Sequence, residues 1–130
     1  MMKRKCAALL TLIFATSFGC WAEEAKPNEK PLADVKKEIQ DGKAVIVDVR
    51  ELDEWNEGHV KDAKLVSLSG VKSDTADLSA LPKDKTIYCY CRAGKRALAT
   101  AALLSAKGYH ATALKEGFSD LSKNGFETSK

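Results

Sequence analysis

Apolar residues follow two alternating rhythms along this chain. Leu32, Val35 and Ile39 recur at helical spacing after Pro31, a residue suited to a helix start, and Asp41-Gly42 stops the segment. Ala44 to Val49 is then a largely β-branched run, as in a strand buried on both faces, and such strands belong to parallel sheets. Glu51 to Glu57 predicts a short helix ended by Gly58, after which His59-Val60 leads to a short strand at Lys64 to Leu68. Ser73 to Leu81 carries a weak helical pattern that stops before Pro82. Thr86 to Tyr90, β-branched and aromatic, is the third clear strand, and the Ala/Leu-rich helix Gly94 to Lys107 follows directly and ends at Gly108. A fourth strand fits Ala111 to Leu114, and Gly117 to Lys123 reads as a closing helix with Gly125 as its terminator. Strands alternating with helices imply an α/β fold, a parallel sheet covered on both faces, with its site in the turns after strand C-terminal ends.

Composition changes this picture first at the N-terminus. Met1 to Ala22 reads as a processing segment: Lys3, Arg4 and Lys5 are basic, Cys6 to Phe18 is apolar, and Cys20-Trp21-Ala22 ends on a small residue. A signal peptide of residues 1–22 with cleavage after Ala22 is expected, and hence a periplasmic or secreted protein. The apolar run falls short of the roughly 20 residues that a spanning helix needs, so no stable membrane insertion is expected after cleavage. The alternative is a lipoprotein signal with Ser17-Phe18-Gly19-Cys20 as lipobox, although no Leu or Val stands three before Cys20. Of 21 basic residues against 18 acidic, the leader holds three basic and no acidic ones. The formal charge of +3 is therefore a property of the leader, and it offers no support for nucleic-acid binding by the folded part. Glu23 to Lys30, polar and containing Pro27, is expected as a flexible lead-in, followed by a single domain over 31–127.

Cysteine usage narrows the chemistry. Cys6 and Cys20 lie in the leader, so Cys89 and Cys91 remain, too few for a disulfide framework. A bridge between alternate residues closes a small, strained ring, which leaves only a transient disulfide open. Cys91 ends the third strand, and the turn Arg92-Ala93-Gly94-Lys95-Arg96 carries the chain into a helix. Backbone N–H groups and the helix N-terminus favour negative charge there, and Arg92, Lys95 and Arg96 add full positive charges. These are conditions that lower a cysteine pKa from about 8.5 toward neutrality and expose the nucleophilic thiolate. Cations at a helix N-terminus oppose the macrodipole, so they ask for a compensating anion. Cys89 is expected to pack inside the sheet, with a resolving or protective thiol as the alternative, Asp48 and Arg50 to pair with each other or with nearby backbone as scaffold, His59 to be structural and Trp55 to anchor the core or a helix.

Four segments taken together closely resemble the single-domain rhodaneses, a family of sulfurtransferases. They are Val45-Ile46-Val47-Asp48-Val49-Arg50, Glu54-Trp55-Asn56-Glu57-Gly58-His59-Val60, Cys91-Arg92-Ala93-Gly94-Lys95-Arg96 and Glu116-Gly117-Phe118. The resemblance runs from about Pro31 to Phe126. It implies a three-layer α/β domain with a central, mainly parallel sheet of about five strands flanked by helices. It also implies a thiosulfate sulfurtransferase in which Cys91 carries sulfur as a persulfide and the loop Arg92, Ala93, Gly94, Lys95 and Arg96 binds substrate. No metal and no organic cofactor is expected; the partners are a small sulfur donor and a thiophilic acceptor, cyanide or a thiol, with a protein thiol as a further candidate. The chain departs from the family at Lys61-Asp62-Ala63, where a Gly is frequent, at Ser67-Leu68, where a Pro is frequent, and at Glu116-Gly117, in place of a Gly-Gly pair. Related phosphatases and arsenate reductases need a loop one residue longer with arginine where Ala97 stands. A thiol-disulfide exchanger using Cys89 and Cys91, or a non-catalytic binding or sensing module, are the remaining alternatives.

Overall fold

The computed structural model describes residues 26–130. The expected leader and the Cys20 lipobox lie outside the described residues. Helix α1 (Leu32–Gln40) and strand β1 (Ala44–Asp48) follow the hydrophobic rhythm, as do helix α2 (Leu52–Glu57) and strand β4 (Thr86–Tyr90). So do helix α4 (Lys95–Ala106), strand β5 (His110–Ala113) and helix α5 (Phe118–Lys123). Between α2 and β4 lie strands β2 (His59–Val60) and β3 (Lys64–Leu65) and helix α3 (Leu68–Lys72), and strand β6 (Thr128–Ser129) closes the chain.

One predicted helix is absent and another takes its place. Ser73 to Leu81 forms turns, whereas α3 occupies the residues just before it, beginning at Leu68, the last residue of the expected strand. Ser67 starts that helix by accepting the Gly70 N–H on its hydroxyl at 3.2 Å. Side chains then compete with further helix: the Ser73 hydroxyl donates back to the Ser69 carbonyl at 2.9 Å, and Asp77 accepts the Ser79 N–H at 2.9 Å. Where the resemblance leads one to expect a proline, Ser67 thus caps the start of α3.

The main sheet has the order β3-β1-β4-β5 with every pair parallel. It holds four strands rather than about five. The lane beyond β5 is filled by one bridge between Pro27 and Ala113, beside which the Asn28 N–H donates to the Ala113 carbonyl at 2.7 Å. Proline has no N–H to extend a ladder, so the lead-in touches the edge without becoming a strand. β2 and β6 form a separate antiparallel pair. Alternation along the strands sorts the core into two layers. Val47, Val49, Ile87, Cys89 and Cys91 pack with Ala97, Ala101 and Leu104 of α4, whereas Ile46, Tyr88 and Tyr90 pack with Val35 of α1 and Leu121 of α5. Among the described residues no helix is long and apolar enough to cross a membrane.

A buried polar knot joins the C-terminal ends of β1 and β4. Asp48, fully buried, accepts two hydrogen bonds from the Arg50 Nε at 3.0 and 3.1 Å and one from its Nη2 at 2.7 Å. Arg50 Nη2 also donates to the Gly58 carbonyl at 2.7 Å. The Tyr90 hydroxyl donates to Asp48 at 2.8 Å and accepts the Val60 N–H at 3.0 Å. The guanidinium rests over the Phe118 ring, 4.7 Å from its centroid. Removing one charge strands the other away from water, so Asp48→Ala is expected to lower stability by about 3–5 kcal/mol in urea unfolding.

Candidate active site

Cys91 follows the last residue of β4, in the middle of the sheet edge where parallel strands end. Three backbone bonds hold this corner. The Val49 N–H donates to the Tyr90 carbonyl at 3.1 Å, the Leu114 N–H to Cys89 at 2.8 Å and the Phe118 N–H to Cys91 at 2.9 Å. Val49 follows β1, whereas Leu114 and Phe118 follow β5, so the strands on both sides of β4 fix the start of the loop.

Two glycines shape the loop beyond Cys91. Gly94 has φ +93° and precedes the first residue of α4, a left-handed conformation that residues with a Cβ adopt only at a cost. This turn brings the Gly94 N–H to 3.0 Å from Cys91 Sγ, which accepts it. Gly117 lies against the loop from the other side: a Cβ there would fall 2.0 Å from the Arg92 carbonyl oxygen and 2.6 Å from its carbon. Of the expected late Gly-Gly pair, replaced here by Glu116-Gly117, the second glycine is therefore the one that this packing requires.

The two thiols are both free and buried, and they lie in the same apolar layer. Cys91 is 1% exposed and Cys89 is 0% exposed. Burial, reinforced by the neighbouring Cys91, pushes the Cys89 thiol up to about 12. Cys89 thus stays protonated at neutral pH, which is how a packed core thiol behaves and which counts against a dithiol exchange reaction. Arg92, Ala93 and Lys95 form the exposed rim over Cys91. Ala97, where a phosphatase loop would carry arginine, is fully buried in the layer that contains Cys91.

The three loop cations do not act as one set. Among the described residues Arg92 and Lys95 make no ion pair, whereas Arg96 donates from Nη1 and Nη2 to the two Glu54 oxygens at 2.6 and 3.0 Å. The Arg96 hydrogen bond holds the Glu54 carboxyl down to about 2 from its ordinary 4.5. Sequence reasoning leaves Glu54 out of the site, although cations opposing the helix dipole signal that some anion has to be near. His59 is structural: its Nδ1 donates to the Trp55 carbonyl at 3.0 Å, and its ring stacks on the Trp55 indole with centroids 3.5 Å apart.

With the geometry in place, comparison with known proteins gives a consistent answer. The family described as the rhodanese-like domain matches residues 31–124. A curated relative, the probable adenylyltransferase/sulfurtransferase MoeZ of Mycobacterium tuberculosis, is 29% identical over 96 residues, which cover 70% of this chain and 24% of that protein. The chain therefore spans about a quarter of the curated relative's length. The solution structure of protein hp1203 from Helicobacter pylori is 38% identical with a TM-score of 0.57, covering 68% of this chain and 79% of that one. The human single-domain sulfurtransferase TSTD1 shares the fold at 23% identity and a TM-score of 0.62, over 71% of this chain and 92% of its own.

The depressed Glu54 carboxyl has a defined acid signature. Its contribution to stability is complete above the ordinary carboxyl range near 4.5 and is lost as pH falls toward about 2. Thermal unfolding should show wild type more stable than Glu54→Gln at pH 7, with the difference vanishing as pH approaches 2.

Proposed function

The chain belongs to the rhodanese-like domain family, and on that premise we propose that it is a sulfurtransferase in which Cys91 carries sulfur as a persulfide. The observation that carries this reading is the Gly94 N–H directed at Cys91 Sγ from the start of a 12-residue helix. A backbone donor and the positive end of α4 favour a sulfur anion at that position. Names of relatives that include a sulfurtransferase support the same class.

The chemistry follows from the loop. The Cys91 thiolate attacks the outer sulfur of thiosulfate, a new S–S bond forms, and the old S–S bond breaks with its electron pair leaving on sulfite. The outer sulfur of the resulting persulfide carries the negative charge, and a bond of about 2.05 Å separates it from Cys91 Sγ. Cyanide or a thiolate acceptor then attacks that outer sulfur, and the bonding pair returns to Cys91 Sγ to regenerate the thiolate. Arg92 and Lys95, exposed and without ion partners among the described residues, attract an anionic donor to the loop. Export of the protein belongs to the same proposal and rests on the Met1 to Ala22 pattern.

Mass spectrometry of protein treated with thiosulfate should show the gain of one sulfur on Cys91, reversed by cyanide, and Cys91→Ser should neither gain sulfur nor turn over. A wild-type protein that turns over thiosulfate with no sulfur on Cys91 would sink the persulfide route. For export, N-terminal sequencing of the protein recovered from cells should begin at Glu23. An uncleaved chain, or one starting at a lipidated Cys20, would replace that assignment.

A further inference from the structure

The geometry points to Glu54 as the positioning residue of the loop: by gripping Arg96 it fixes the first turn of α4, and with it the Gly94 N–H that faces Cys91. The inference rests on the persulfide reading for its consequence in catalysis, but the grip itself is a separate property of the chain. The first turn of α4 contains Lys95 and Arg96 and no acidic residue. Both cations oppose the helix dipole, so this turn has no local electrostatic reason to settle where it does. Glu54 supplies the reason from another helix.

The grip is directional because it is bidentate. Parallel bonds at 2.6 and 3.0 Å set the orientation of the Arg96 plane as well as its distance. The side chains of Arg96 and Glu54 are 33% and 20% exposed, so the pair is partly withdrawn from the solvent that weakens surface ion pairs. Glu54 is also held in place. Its Oε1 accepts the Glu51 N–H at 3.3 Å in the capping box of α2, and Glu51 Oε2 accepts the Ser69 hydroxyl of α3 at 3.0 Å. Just before Glu51 comes Arg50, locked to buried Asp48. Arg96 is thereby tied to α2 and α3 and, through them, to the end of β1. Glu54 bonds to Arg96 and to the Glu51 backbone, so it acts through the loop rather than on sulfur. It also neutralises Arg96, which leaves Arg92 and Lys95 as the cations offered to a donor anion.

The test measures steady-state transfer from thiosulfate to cyanide, together with alkylation of Cys91 by iodoacetamide in protein not exposed to thiosulfate. In Glu54→Gln, kcat should fall by about 10- to 100-fold, the scale of a displaced reacting geometry. KM for thiosulfate should not rise, because the released Arg96 charge joins Arg92 and Lys95. Arg96→Gln should lower kcat by a similar factor, and the double variant should be no worse than either single one. Glu54→Asp, which keeps the charge on a shorter stem, should fall between wild type and Glu54→Gln, and it serves if Glu54→Gln does not fold. The alkylation rate should change from wild type both in Glu54→Gln and in Arg96→Gln, in a sense that need not be the same because one variant frees the Arg96 charge and the other removes it. Wild-type kcat in folded Glu54→Gln, or effects of the two single variants that multiply in the double variant, would overturn the assignment. Failure of wild type to load sulfur overturns the persulfide reading instead, and an alkylation rate unchanged from wild type in both folded variants would then overturn the grip independently.

Discussion

A carboxylate with no access to water organises the working end of this domain. Asp48 at the end of β1 holds the Arg50 guanidinium and the Tyr90 hydroxyl, and those two groups bond onward to the Gly58 carbonyl and the Val60 N–H. A buried charge is costly unless its hydrogen bonds are met, and here every partner is met. The arrangement aligns the ends of β1 and β4 and the turn after α2 in a single knot. Cys91 is the next residue after Tyr90, so the sulfur inherits its position from this knot.

Beyond Cys91 the chain is placed by close backbone approach. Gly117 allows the Arg92 carbonyl to come nearer than any Cβ would permit, and Gly94 turns the backbone so that its N–H meets the sulfur. Neither contact involves a charged side chain. The cations then divide by role: Arg96 is bound by Glu54, while Arg92 and Lys95 face outward. Polarity at the sulfur therefore comes from a fixed dipole and a backbone donor, and the unpaired positive charge lies on exposed side chains. Fixed dipoles lose nothing to reorganisation when charge moves, which suits the proposed alternation of Cys91 between thiolate and persulfide.

The same division separates the two cysteines. Alternate positions on β4 place Cys89 and Cys91 in one layer, but only Cys91 stands past the strand end, where the turn supplies a donor. Cys89, enclosed by Val47 and Ala113 on neighbouring strands, keeps its proton because burial penalises the anion. Two residues of separation thus convert an inert core thiol into one addressed by a backbone N–H.

Much of this was legible in the residue order. Helical spacing located α1, β-branched and aromatic runs located β1 and β4, Ala/Leu content ended by Gly108 located α4, and the cationic Gly-containing turn after Cys91 marked the loop. The knot of Asp48 and Arg50 was also readable, since two opposite charges at the end of an apolar strand must find each other. The α3 boundary was not readable, because hydroxyl capping at Ser67 and side-chain turns at Ser73 and Asp77 outcompete a weak helical pattern. Nor was the pairing of Arg96 with a residue 42 positions earlier. The chain by itself determined which segments are buried and which thiol sits at a strand end, because those follow from neighbours in sequence. Only the tertiary structure decided which cation is neutralised and how close Gly117 comes to Arg92, because both depend on where separate helices meet around the end of the sheet.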